Sequence, residues 1–375
     1  MTTVLIAPDG FKGSITAADA AAALAEGWRE VRPDDRTVAL PVADGGEGTL
    51  DAFHAAVPGA RRMPVRVTGP HGRAVEASWV LLPPEHGAPD GTAVVELAST
   101  SGIELLRGRL RPLDADTRGF GEAIVAALDH GVSRLVLAIG SSASTDAGLG
   151  VLTALGATIT DATGAPVAPG LRGVRSAVRL DRSALRPLPP GGAIVLSDVR
   201  SPLTGPAGAA AVFGPQKGLA PADVPAADAA LAHAAHLLGV DPTLAGAGAA
   251  GGTGATLVSW GAELVAGAER IAQMLGLADA VAVADIVITG EGAFDATSGE
   301  GKAPGRVAAL AAGRSVLLVA GRIAPDADTA AFADAVALVD LAGSASAALA
   351  APARWLRSAG RSLAARRGGA AVPGS

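Results

Sequence analysis

Apolar positions along the chain follow two alternating patterns. TVLIAPD, at 3–9, is an unbroken apolar run of the kind a parallel sheet buries on both faces. ITAADAAAALAEGWREV follows, with Leu24, Trp28 and Val31 recurring at helical spacing; Thr16 and Asp19 form a capping-box pattern and Pro33 ends the segment. TVALPVA predicts a second strand, and EGTLDAFHAAV a second helix closed by Pro58 and Gly59. Strand and helix alternating in this way open an α/β sheet.

From residue 64 the pattern changes. MPVRVTG, AVEASWVLL and TAVVELA predict strands joined by PHGR and PPEHGAPDG, which leave no room for helices. Val75, Ala77, Trp79 and Leu81 alternate as one buried face of an antiparallel meander would. Helix–strand alternation resumes with FGEAIVAALDHG, SRLVLAIG and DAGLGVLTALG, and AIVLSDV at 193–199 predicts one more buried strand. Near the end DIVITGEG, KAPGRVAALAA, SVLLVAG and ALVDLAG return to the first pattern. The predicted fold class is α/β: a Rossmann-like open parallel sheet domain formed by both chain ends, 1–63 and 284–375, with a second mixed α/β domain, 64–283, inserted. The tail AARRGGAAVPGS reads as a fraying helix end followed by disorder.

Composition narrows the function classes. A chain of 375 residues is long for one core and supports two domains. A net charge of −6, spread without blocks, excludes the clustered basic face a nucleic-acid partner needs. The absence of Cys removes disulfides and thiolate metal sites, and the absence of Tyr removes phenol chemistry. MTTVLIAPDG has neither the cationic start nor the long apolar stretch of a secretory leader, and no apolar run approaches the roughly 20 residues that span a bilayer. A cytoplasmic protein without a membrane partner is expected.

In open α/β sheets the site lies at the carboxyl ends of the strands, and here those ends carry chemistry. DGFKGS after the first strand holds Lys12, and ADGGEGT after the second holds Asp44 and Glu47. GSSASTDAG holds Ser142 and Asp146; Asp198 ends AIVLSD before VRSPLTGP; GEGAFDATSGEGKAP holds Glu291, Asp295 and Lys302. Glycine-rich loops running into helix N-termini present N–H groups to an anion. Lys12, Lys217 and Lys302 would act as point charges on phosphate, and each lies in a glycine-rich or turn-forming segment where no packing role is expected. Paired acids could hold Mg2+, which binds through one or two carboxylates and the substrate phosphates. Together these are the parts of phosphoryl transfer.

Sharper motifs fail. The earlier Gly of a P-loop is Ala296 and the residue after Lys302 is Ala303; GAGAAG at 246–251 follows no strand; GSSAS at 140–144 ends in Ser144 rather than the Gly of a nucleophile elbow. A hydrolase using Ser142 or Ser144 would need a His beside that elbow, and no His follows a predicted strand end. A non-catalytic sensor of hydroxy acids is a second rival, which would need one ligand site rather than two anion-binding loops; a kinase for another small hydroxy acid is the closest alternative.

Taken in order, APDGFKGS, ADGGEGT, VTGPHG, ELASTSG, AIGSSASTDAG, SDVRSPLTGP, AVFGPQKG, GAGAAGG and ITGEGAFDATSGEGKAP resemble the class I glycerate kinase family over almost the whole chain. The resemblance implies ATP-dependent phosphorylation of D-glycerate with Mg2+, usually to 2-phosphoglycerate. It also implies small-molecule partners, glycerate and ATP; the oligomeric state stays open, a homo-oligomer included. Asp44 and Glu47 are then expected at a substrate or Mg2+ pocket facing the Lys12 loop, with Lys217, Ser142, Asp146, Glu291, Asp295 and Lys302 on substrate or phosphate. Asp198 is the expected base and Asp44 the second choice, acting with Lys12 in an interdomain cleft. The chain departs from the family pattern where Gly10 replaces Ser, Ser141 and Ala147 replace Gly, Ala293 replaces Arg and Thr297 replaces Gln. The lost Arg is expected either to weaken nucleotide binding or to leave its role to Arg306.

Overall fold

In the computed structural model, which describes residues 1–296, 298 and 302–368, the strands in chain order are β1 (Thr3–Pro8), β2 (Arg36–Ala39), β3 (Arg61–Thr68), β4 (Ala74–Leu82), β5 (Thr92–Glu96), β6 (Arg134–Ala138), β7 (Thr158–Thr160), β8 (Arg179–Asp181), β9 (Ala193–Leu196), β10 (Glu263–Val265), β11 (Ile286–Phe294), β12 (Ser315–Ile323) and β13 (Asp334–Ala337). Position 297 and the tail from 369 on, both discussed above, lie outside the described residues.

The chain forms two compact units. The first holds Met1–Ala43, Asp51–Pro58 and the chain from Ile271 onward; the second holds Asp44–Leu50 and Gly59–Arg270. The divisions drawn from the sequence at 63/64 and 283/284 therefore shift. Leu277 and Val281 pack into the core of the first unit, and the ADGGEGT loop makes its contacts in the second.

The sheet of the first unit runs β13-β12-β11-β1-β2, parallel throughout. Val4, Leu5, Ile6 and Ala7 are all fully buried because successive strand residues point to opposite faces and both faces are covered. Val4 and Ile6 pack with Leu24, Trp28, Leu356 and Leu363, while Leu5 and Ala7 pack with Leu277, Val281 and Val307. Thr16 caps the helix Ala17–Val31, accepting from the Asp19 N–H at 3.1 Å. Its predicted face holds at Leu24 and Trp28, but Val31, in the last turn, is 42% exposed. The assigned strand is shorter than the expected TVALPVA, ending at Ala39, yet the Leu40 and Val42 N–H groups still donate to the Ile6 and Pro8 carbonyls, and Pro41 occupies an edge position whose N–H would face away from β1.

The sheet of the second unit runs β10-β9-β6-β5-β4-β3. Its β5, β6, β9 and β10 are parallel, and β3, β4 and β5 form the antiparallel meander. Trp79 is buried with Phe120, Ile124 and Leu137, and Val75, Ala77 and Leu81 line the same side. β9 ends at Leu196, so Asp198 lies beyond the strand in an exposed loop. Among the described residues, no helix is long and apolar enough to cross a membrane.

Candidate active site

In the second unit the glycines of ADGGEGT serve close packing between loops. Gly140, past the end of β6, donates its N–H to the Gly45 carbonyl at 2.9 Å, and a Cβ on Gly140 would lie 2.5 Å from the Gly46 Cα. Gly45 takes φ +93, a conformation side chains rarely adopt. Thr49 closes the turn on the Gly46 carbonyl at 2.8 Å, and the Leu50 N–H reaches the buried Glu96 carboxylate at 3.4 Å. Asp44 accepts from the Gly46 N–H at 2.9 Å, and both Asp44 and Glu47 are exposed. Backbone therefore packs on backbone while the acids face outward.

The GSSASTDAG loop is built around Asp146, which is 1% exposed. Its carboxylate accepts from Thr117 N–H and Oγ1 at 2.9 and 2.7 Å, Ser144 Oγ at 2.9 Å, and the Gly148 and Gly150 N–H groups at 3.2 and 3.3 Å. Ser144 is fully buried and committed to that carboxylate, so the elbow presents no nucleophile there. GAGAAGG packs on the same loop: Ala250, Gly251 and Gly252 are left-handed, and a Cβ on Gly251 would lie 2.1 Å from the Ser144 carbonyl oxygen. That contact, with no preceding strand, accounts for the glycines without a dinucleotide.

Lys217 corrects an expectation. It is 3% exposed and packs, its ammonium donating to the Ser144 carbonyl and to Ser142 Oγ. The FGPQKG turn folds inward, and the GSSASTDAG loop supplies its acceptors. Burial brings Lys217 down to about 8 from the ordinary 10.5, with the Asp146 carboxylate opposing that fall. Between those values the unfolded chain keeps a proton that the folded chain has released, so this group makes stability rise with pH. In Lys217→Met that rise should vanish. Urea unfolding midpoints at about pH 7.5 and about pH 9.5 test this; an equal pH difference in parent and variant would refute it.

Two of the departures from the family pattern have a backbone consequence. Ser141 and Ala147 take φ of +60 and +53. A left-handed residue with a Cβ costs roughly 1–2 kcal/mol, part of which glycine's added freedom in the unfolded chain offsets. Ser141 is exposed, so Ser141→Gly should gain about 0.5–1 kcal/mol, read as a higher melting temperature. Ala147→Gly should gain less, because it also removes a buried methyl worth about 0.8 kcal/mol. A lower melting temperature for Ser141→Gly would refute the strain argument.

In the first unit the ends of β1 and β11 bring Lys12, Glu291, Asp295 and Lys302 together. Lys302, the N-cap of the helix Ala303–Leu310, donates to Asp295 at 3.3 Å and to Ser298 Oγ at 3.0 Å. Glu291 is 9% exposed, and its Oε1 is buried without a hydrogen-bond partner among the described residues. Burial pushes its carboxyl above the ordinary range; the Ser298 hydrogen bond and the Lys302 and Lys12 ammoniums oppose the rise, and Asp295 adds to it. Lys12 itself is exposed. Among the described residues no cluster of three or more His, Asp or Glu forms a ready-made metal cage.

Two α/β units, with carboxylates on glycine-rich loops beyond the strand ends of both and two lysines in such loops of the first, define a two-unit α/β protein. The profile of the glycerate kinase family matches residues 4–367, and the chain belongs to that family. It is 41% identical over 334 residues to the glycerate 2-kinase of Escherichia coli (strain K12), covering 86% of each chain. It is 38% identical over 333 residues to a glycerate kinase of Halalkalibacterium halodurans, again covering 86% of each. The crystal structure of a candidate glycerate kinase 2 from Salmonella typhimurium LT2 matches with a TM-score of 0.80 at 36% identity, covering 98% of both chains.

Sequence reasoning missed Glu96 and Asp116. Glu96 was hidden inside a strand-like run, where only its charge marked it. Asp116 sits in RPLDADTRG, which follows no strand and reads as a surface turn.

Proposed function

We propose that the protein is a class I glycerate kinase that transfers the γ-phosphoryl group of ATP to D-glycerate, giving 2-phosphoglycerate in the cytoplasm. The observation that carries this reading is the cluster in the first unit: two lysines and two carboxylates at strand ends, with a buried Glu291 oxygen that has no partner among the described residues. A buried carboxylate oxygen left unpaired is costly, and a cation or a donor from a ligand would satisfy it. The donor set is all oxygen, which suits Mg2+. Asp44 and Glu47 are the proposed Mg2+ ligands, and the Glu291 oxygen in the first unit is a separate acceptor for a ligand donor. When bound, the ion neutralises charge on the transferring phosphate.

Lys12 and Lys302 supply fixed positive charge to the phosphates, and Asp295 orients Lys302 through their 3.3 Å contact. Asp198 accepts the proton of the attacking hydroxyl, with Asp44 the second choice. Lys217 and Asp146 act through Ser142 and Ser144, holding the GSSASTDAG loop in shape as positioning residues.

The test is a coupled assay of ADP release with purified, folded protein. Release should require D-glycerate and Mg2+ together, and phosphorus NMR should find the product ester at the 2-hydroxyl. No glycerate-dependent release would sink the reading; an ester at the 3-hydroxyl would leave the kinase and correct the product.

A further inference from the structure

The second unit contains a cavity of about 350 Å³ that none of the residues assigned to phosphoryl transfer lines. Its walls come from the β3–β4 turn, the segment 111–118, the helix Leu149–Ala154 and residues 167–170, and they bring His71, Arg111, Asp114, Asp116 and Arg118 to one space. The charges are unevenly compensated. Asp114 is neutralised by Arg172 at 2.7 Å. Arg118 lies 3.9 Å from Glu122, but that carboxylate is already held by Thr68 N–H and Oγ1 at 2.6 and 3.1 Å. Arg111 donates to the His71 carbonyl at 3.2 Å, a neutral acceptor, and no ion pair compensates its charge among the described residues.

Asp116 is the odd member. It accepts from the Arg118 N–H at 3.2 Å. Burial brings its carboxyl up to about 6; Asp146 and Glu122 add to the rise and Arg118 opposes it. A carboxylate left in such surroundings gains from a hydroxyl donor. The wall behind it is fixed in advance, because Thr117 and Gly150 are both bonded to Asp146. Preorganised walls lower the cost of binding. The cavity is at the small end of ligand sites, which run from about 300 to 1,000 Å³, so it suits a ligand of few atoms.

We propose that this cavity is a second binding site, specific for a small hydroxy-carboxylate anion, in which Arg111 and Arg118 hold the carboxylate and Asp116 accepts a hydrogen bond from the hydroxyl. The site is separate from phosphoryl transfer and does not depend on the kinase reading.

Isothermal titration of the full chain with D-glycerate, and with propionate as the acid lacking hydroxyls, tests this. The parent should bind D-glycerate at this site more tightly than propionate by roughly 10- to 100-fold, the worth of one hydrogen bond to a charged group. Asp116→Ala should remove that preference. Arg111→Ala and, independently, Arg118→Ala should each weaken both acids by roughly 10-fold or more at this site. If the kinase reading holds, the parent takes two glycerates per chain and Arg111→Ala takes one, with turnover retained; if that reading fails, the parent takes one and Arg111→Ala none. An isotherm unchanged in both arginine variants overturns the proposal, as does equal affinity of the parent for the two acids. Loss of turnover in a folded Arg111→Ala would place the cavity in the transfer site and overturn its separateness.

Discussion

Asp146→Ala is expected to lose about 3–5 kcal/mol of stability, the cost of removing one partner from a buried charged network. The carboxylate accepts from donors in two chain segments, 117 and 144–150, and its loss leaves Thr117, Ser144, Gly148 and Gly150 with buried groups to satisfy. Each such group costs roughly 1–3 kcal/mol if nothing replaces the bond. A total stability of roughly 5–15 kcal/mol is typical of a domain, so the loss is a large fraction of it. The Asp146 charge also supports the buried Lys217 ammonium, so a variant that still folds should show Lys217 losing its proton at lower pH than the parent. Urea unfolding gives the first quantity, and NMR of the labelled lysine gives the second. A loss under about 1 kcal/mol would mean the network relaxes onto other partners, and the strut role would fall.

What the sequence made legible was whatever depends on near neighbours in the chain. β1 is apolar at every inner position because two layers cover it, and Trp79 alternates with Val75 because one face of the meander is buried. Thr16 and Asp19 meet across one helical turn, so their bond could be read from spacing alone. Contacts between distant segments were not legible. FGPQKG has the composition of an exposed turn, and its lysine is buried only because residues 142–144, more than seventy positions earlier, supply the acceptors. The glycines of ADGGEGT signalled close approach correctly, but the approaching group includes the Gly140 backbone. The side chains of Ser141 and Ala147 gave no sign of their positive φ, since left-handed backbone is normally signalled by glycine; the sign lay in the family pattern, which places Gly at both positions.

Asp198→Asn is expected to lower kcat for glycerate phosphorylation by roughly 10²–10⁴, the usual worth of a positioned general base. Asp198 lies just past β9, on the exposed SDVRSPLTGP loop, where one carboxylate oxygen accepts from the Ala268 N–H at 3.4 Å. Asparagine keeps the shape and can still accept that bond, but it cannot take a proton from an alcohol near neutral pH. The melting temperature and the KM for glycerate should therefore stay near parental values, since only an interaction made in the transition state has been removed. The same substitution at Asp44 separates the two candidates. Asp44 is also exposed, and asparagine can keep the bond its Oδ1 accepts from the Gly46 N–H, so Asp44→Asn should act through the lost ligand charge, raising the Mg2+ requirement and KM more than it lowers kcat. Full activity in Asp198→Asn together with a collapse of kcat in Asp44→Asn would transfer the role to Asp44. Near-parental kcat in both would remove general-base catalysis by either carboxylate, leaving the transfer to rest on positioning and on the charge of Lys12 and Lys302.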